Sequence, residues 1–569
     1  MPPVADAAVL LYYPPSVASE HGQISDAGSV GDDDAGVVRS AHVVLDGKPL
    51  TLGTLDTLLG RALHVELEQP LWDRIETGAR RVERLAASEI PVYGINTGFG
   101  SLCTKPISSD QLRELQRNLI LSHAVGVGDP APAQVVRWMI LFKVLALSHG
   151  VSGVSRSTLE CLLHMLEADL LPLIPTQGSL GASGDLAPLA HMVLPMIGLG
   201  TVRGGGEAVP SSGGTLALRV AQDRLGVPLG DQPAAEAFKR SGIENVTLGP
   251  KEGLALINGT QFMTAYAAMT VVRARRLMKH ADVVATMSLE GLAGSIQPFD
   301  KRLNELRPHK GALEVAENVR RLIVESQILA SHKNCDRVQD PYSVRCVAQV
   351  HGASRDALRH VAEVVETEIN SVTDNPVIFE DNEVISGGLF HGQPLALVLD
   401  YLAIALAELA SISERRTYLL LSGVAGLPVL LMQDTGLNSG FMVPHYTAAA
   451  LVSENKGLCT PSSVDSIPTS LGQEDHVSMG ARGAVKCLQV LENTETVLAI
   501  EQMCAAQALD YRAPLQAGIG PRCAHLEVRR EISHTEKDRL FGDDISKSLA
   551  LLRSQRVVQA VERESGPLW

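Results

Sequence analysis

The chain has 569 residues, 45% hydrophobic and 20% charged, proportions of a folded globular protein rather than a disordered or fibrous one. Its formal charge of -15, from 49 basic and 64 acidic residues, opposes attraction to phosphate backbones, and no basic run reverses it locally, so nucleic acid is excluded as a partner. No apolar stretch approaches ~20 uninterrupted residues, so no membrane span is read; the eight cysteines contain no CxxC pair, so neither a zinc site nor a disulfide framework is signalled.

Residues 1–38 hold six acids and no Lys or Arg, which argues against a secretory or transit leader and for a flexible acidic extension over 1–40. With reduced thiols, this points to the cytoplasm. From Ala41, AHVVLDGKPLTLGTLDTLL predicts a short hairpin turning at Asp46-Gly47, then a helix capped by Thr54. YGINTGFGSLCTKP is a glycine-rich loop, after which Ser109 opens a helix with Leu112, Leu115 and Leu119 at helical spacing. VVRWMILFKVLAL carries Arg137 and Lys143 and reads as a buried helix. VRGGGEAVPSSGG marks a surface excursion.

The second half is almost wholly helical. Leu358, Val361 and Val364 or Val365 keep the helical period, as do the Ala/Leu-rich segments 397–422, 446–458 and 482–510. Several of these are apolar on most of their circumference, which predicts burial between other helices. The expected fold is mainly all-α: a large central bundle of long helices beside a small mixed N-terminal region. The regions divide at 41–250, 251–510 and 511–569.

Gly198-Leu199-Gly200 has Arg203 where a dinucleotide fingerprint needs its third glycine. There is no GxxxxGK[ST], HExxH or GxSxG, and the seventeen histidines form no pair at metal-ligand spacing, so no metal is expected. PTQGSLGASGDLAPLAH is different, because Gly178, Gly181 and Gly184 flank small residues and leave the backbone free to fold tightly. Without a side chain, the Gly184 amide can approach the Ala182 carbonyl, and Ser183 between them can lose water. Cyclisation and dehydration would give a five-membered ring bearing a methylidene, an electrophile that no unmodified side chain supplies. Read alone, an Ala-Ser-Gly is a glycine-rich turn before a helix.

GASGDLAPLAHM, together with YGINTGFG, KEGLALINGTQ, SHKNCDRVQDPYSVRC, NSGFM and SVDSIPTSLGQEDHVSM, resembles the histidine ammonia-lyases, within the family of aromatic amino acid lyases that carry a 4-methylidene-imidazol-5-one (MIO) ring. The match runs from about Ala41 to about Leu552. The resemblance implies that Ala182, Ser183 and Gly184 form the ring, that Asn258 hydrogen-bonds near it, and that Tyr93 is the base taking the β-proton or assisting ammonia loss. It places Gln339, Tyr342 and Arg345 near the ring, with Arg345 clamping the substrate carboxylate through its bidentate fork. It places His123 and Glu474 over an imidazole substrate and Phe390 as an aromatic wall, and leaves His391, His476 and Lys456 behind them.

A phenylalanine side chain would leave the polar pair His123 and Glu474 buried and unpaired, at roughly 1–3 kcal/mol each, which favours histidine. The implied reaction is elimination of ammonia from L-histidine to trans-urocanate, without metal or nucleotide, in a homotetramer whose active sites draw on several subunits. The chain departs from the family at Leu389, where GGNFH is usual, and at the bulky Phe262-Met263. These departures keep open a tyrosine or phenylalanine lyase or an aminomutase. A catalytically silent amino-acid-binding relative is the remaining alternative.

Overall fold

The computed structural model describes residues 40–88, 91–98, 107–108, 111–204, 230–332 and 338–569. The acidic extension before Ser40, Ser109, most of the 202–214 excursion and the Lys333–Asp336 part of SHKNCD lie outside the described residues. The chain opens with β1 (Ser40–Leu45), α1 (Leu52–Leu58) and β2 (Ala62–Leu67). The expected hairpin is not formed: β1 and β2 pair in parallel, with His42 opposite His64. The turn at Asp46-Gly47 leads directly into α1, whose Leu52, Leu55 and Leu58 are fully buried, and the helix returns the chain to the same end of the sheet. The cap is also one turn earlier than expected. Thr51 accepts from the Thr54 amide at 3.1 Å, because Thr51 alone has the extended backbone that an N-cap requires.

The helix after the glycine-rich loop runs over Leu112–His123. VVRWMILFKVLAL forms α2 (Ala133–Ser148), every residue of which is buried. After α3 (Arg156–Glu167) come short strands, the loop of the candidate tripeptide and the helix Leu186–Val193. α4 (Glu252–Ile257) packs on the helices Leu112–His123 and Leu186–Val193, and the bundle is built from α5 (Gln261–Gly291), α6 (Val347–Ile369), α7 (Gln393–Leu421), α8 (Met442–Leu458) and α9 (Gly480–Asp510). α7 and α5 each lie along α9, and α6 packs on α7 and α5, with shorter helices after residue 519 closing the far end. This is the mainly α-helical bundle the periodicity predicts.

By length and composition α7 would suffice to cross a bilayer, but it runs through the bundle and buries Asp400, Glu414 and Arg416. It is not buried all round. Leu397, Tyr401 and Ile404 form an exposed stripe at helical spacing, with Tyr418 further on, and Val443 and Tyr446 of α8 are exposed as well.

Candidate active site

The tripeptide sits in a turn that only its sequence allows. Gly181, Ser183 and Gly184 all have positive φ, at 84°, 50° and 77°. Such a backbone costs a serine of order 1 kcal/mol or more and costs glycine little. The turn is clipped to the loop between α4 and α5: the Gly259 amide donates to the Ser183 carbonyl at 3.2 Å and the Asp185 amide to the Gly259 carbonyl at 2.7 Å. A Cβ on Gly184 would lie 2.1 Å from the Gly259 oxygen, so the glycine is required by contact as well as by φ.

Above the turn is a cavity of about 650 Å³ bordered by Tyr93, Ala182, Ser183, Asn258, Phe390 and Glu474. Six of the eleven expected site residues thus meet in one place, with Gly184 buried directly beneath them. His123 ends the helix Leu112–His123 with Nδ1 2.8 Å from the Leu119 carbonyl. Burial holds its pKa below the ordinary histidine value, partly opposed by the Leu119 hydrogen bond and by the negative charge of Glu474. His123 itself does not border the cavity, whereas Glu474 does.

Asn258 is placed by its own surroundings. Its Nδ2 donates to the Asn375 carbonyl at 2.9 Å and to Asp374 at 3.3 Å, and its Oδ1, also buried, has no partner. Lys143 of α2 donates to the Asn258 carbonyl at 2.7 Å, and Lys251 pairs with Asp374 at 2.6 Å with both side chains buried. Burial pushes Lys143 down to about 7 and Asp185 up to about 7. Sequence reasoning missed Lys251, Asp374 and Asp185 and gave Lys143 no role near the tripeptide; isolated charges carry no periodic signal, and only the fold collects them. It also set back His391 and His476, which border the cavity with their rings 5.6 Å apart.

Gln339, Tyr342 and Arg345 lie elsewhere. They belong to the loop and short helix (Tyr342–Arg345) just before α6, where Asp340 accepts from the Ser295 amide at 2.6 Å beyond the end of α5. The tripeptide clips to Gly259, before the start of α5. A helix of 31 residues spans about 45 Å at 1.5 Å per residue, so these three cannot reach the cavity of their own chain.

The departures noted in the sequence fall outside the cavity wall. Leu389 is 53% exposed, and neither it, Phe262 nor Met263 borders the cavity. Phe262 packs its ring 4.9 Å from Tyr266 in the core, and Met263 lies against Gly392 and Gly480.

A family model described as aromatic amino acid lyase matches residues 50–530. The chain belongs to that family and is an enzyme of its class. It is similar to histidine ammonia-lyases of Natranaerobius thermophilus, 47% identical over 92% of this chain and 99% of that one, and of Myxococcus xanthus, 44% identical over 91% and 98%. Among solved structures, histidine ammonia-lyase from Trypanosoma cruzi superposes with a TM-score of 0.81 at 39% identity, covering 92% of this chain and 95% of that one. Tyrosine aminomutase from Streptomyces globisporus superposes with 0.82 at 32% identity, covering 92% and 98%.

Proposed function

We propose that the protein eliminates ammonia from L-histidine to give trans-urocanate, at the cavity over Ala182-Ser183-Gly184. The observation that carries this reading is the meeting of Tyr93, the tripeptide, Asn258 and Glu474 around one cavity. The residues present fit an MIO ring: Gly184 is the one residue its contact with Gly259 permits, Ser183 is held at positive φ, and Asn258 offers an unpartnered Oδ1. Closed from Ala182, Ser183 and Gly184, that ring supplies an electrophilic methylidene.

The remaining work falls to ordinary side chains. The β-hydrogen of an amino acid is scarcely acidic, so a base must be held against it where water is scarce, and Tyr93 on the cavity wall is that base, taking the proton on its phenolic oxygen. As the Cβ–H and Cα–N bonds break, the double bond forms between the two carbons and the nitrogen leaves as ammonia. His123 and Glu474 orient the substrate imidazole. The carboxylate needs a fixed cation, and Arg345 supplies it from a second copy of the chain, because its own cavity is a helix length away.

A homo-oligomer with shared sites, a tetramer in our reading, also covers the exposed stripe of Leu397, Tyr401 and Ile404. The six cysteines among the described residues are all free thiols, consistent with a cytoplasmic protein. Purified protein offered histidine, tyrosine and phenylalanine separately, followed by ultraviolet absorbance of the conjugated acid, should turn over histidine far faster than the other two. Turnover of tyrosine in preference to histidine would refute the assignment.

A further inference from the structure

Away from the cavity, the outer face of the β1–β2 pair gathers two histidines and a carboxylate. The parallel register sets His42 opposite His64, and Glu66, two residues on, projects to the same side as His64 because strand side chains alternate. His42 Nε2 is 3.3 Å from Glu66 Oε2, and His64 Nε2 is 3.1 Å from Glu66 Oε1. One ligand atom from each of the three lies within 4.8 Å of the others. Donors bound tetrahedrally at ~2.0–2.1 Å sit about 3.3 Å apart, so the side chains need little movement to close on one ion.

The second nitrogen of His64 is also engaged: Nδ1 faces Glu167 Oε1, at the end of α3, at 3.2 Å. A carboxylate behind a metal-binding histidine fixes its tautomer and raises its basicity. Imidazole nitrogens with one carboxylate suit zinc and its late first-row neighbours rather than magnesium or calcium, which take oxygen. Side-chain exposures of 25% for His42, 41% for His64 and 57% for Glu66 leave the ion a path from solvent and room for water.

We propose that His42, His64 and Glu66 bind a divalent zinc-class ion, with Glu167 as the positioning residue behind His64. None of the four borders the catalytic cavity. The ion would tie β1 and β2 to α3 and take no part in the elimination.

Tag-free full-length protein titrated with Co²⁺ tests this through the visible absorption of the bound ion. One equivalent should bind at micromolar concentration, with the band erased by one equivalent of Zn²⁺. The His42→Ala/His64→Ala double variant should lose the band, and Glu167→Gln should keep the stoichiometry with affinity about 10- to 100-fold weaker. Turnover of histidine should be unchanged in all of them. Absence of a band in the unmodified protein would overturn the proposal, leaving a proton-sharing His–Glu cluster. An equal band in the double variant would overturn it too.

Discussion

The two ends of α5 differ in what they leave unfinished. At its start, the tripeptide turn is locked by backbone hydrogen bonds to Gly259, charged groups are buried, and the open valences, Oδ1 of Asn258 and Oδ1 of Asp185, belong to side chains the fold holds still. At its far end, Tyr342 is 70% exposed and the Arg345 guanidinium lies 4.6 Å over its ring, with Nε buried and unpartnered. One end gathers the tripeptide, Asn258 and Glu474 around the cavity; the other presents Arg345 a helix length away from it. In the proposed function each is half of a site, and the halves would be joined between copies rather than within one.

Breaking the first end should cost most. Ser183→Ala removes the hydroxyl whose loss would create the proposed electrophile, and turnover of histidine should fall by more than about 10³-fold, with the helical circular dichroism unchanged. Retained turnover would show that the tripeptide is only a turn. At the far end, Arg345→Ala should reduce kcat/KM by roughly 10²-fold, about 2–3 kcal/mol, in a steady-state assay. Because the side chain lies on a short surface helix, thermal stability should change little.

Glu474→Gln tests what the cavity recognises. It should lower kcat/KM for histidine by about tenfold or more while leaving any slow turnover of tyrosine nearly untouched; equal losses on both would remove the specificity argument. A separate effect, on stability rather than turnover, concerns pH. Asp185 has its pKa raised by burial from 3.8 to about 7, so the folded protein binds the proton more tightly than the unfolded chain. Its contribution to stability is therefore full below about 4 and lost as pH rises toward 7, with a slope of at most about 1.4 kcal/mol per pH unit. Asp185→Asn should flatten that part of a denaturation profile.

Much of this was legible in the residues. The 3.6-residue period marks α6, α7 and α9 because long helices buried in a bundle repeat the same apolar demand at every turn. GASGDL and INGT mark the tripeptide and Asn258, since a left-handed turn in close contact leaves few residue choices. What the sequence hid depends on distant partners. The parallel pairing of β1 and β2 is decided by where α1 packs, not by the Asp46-Gly47 turn that promised a hairpin. The Lys251–Asp374 pair and the Lys143 contact join residues more than a hundred positions apart, and no local pattern announces them. Leu389 and Phe262-Met263 stood out as unusual letters, yet they lie outside the cavity wall.

Mixing two defective chains tests the shared site most directly. Ser183→Ala and Arg345→Ala proteins, each nearly inactive alone, would be co-expressed in equal amounts and assayed on histidine. If Arg345 reaches a neighbour's cavity, sites with an intact tripeptide from one chain and an intact arginine from the other should restore activity, to about a quarter of the unmodified level for random mixing. No gain over the two separate proteins would contradict the account.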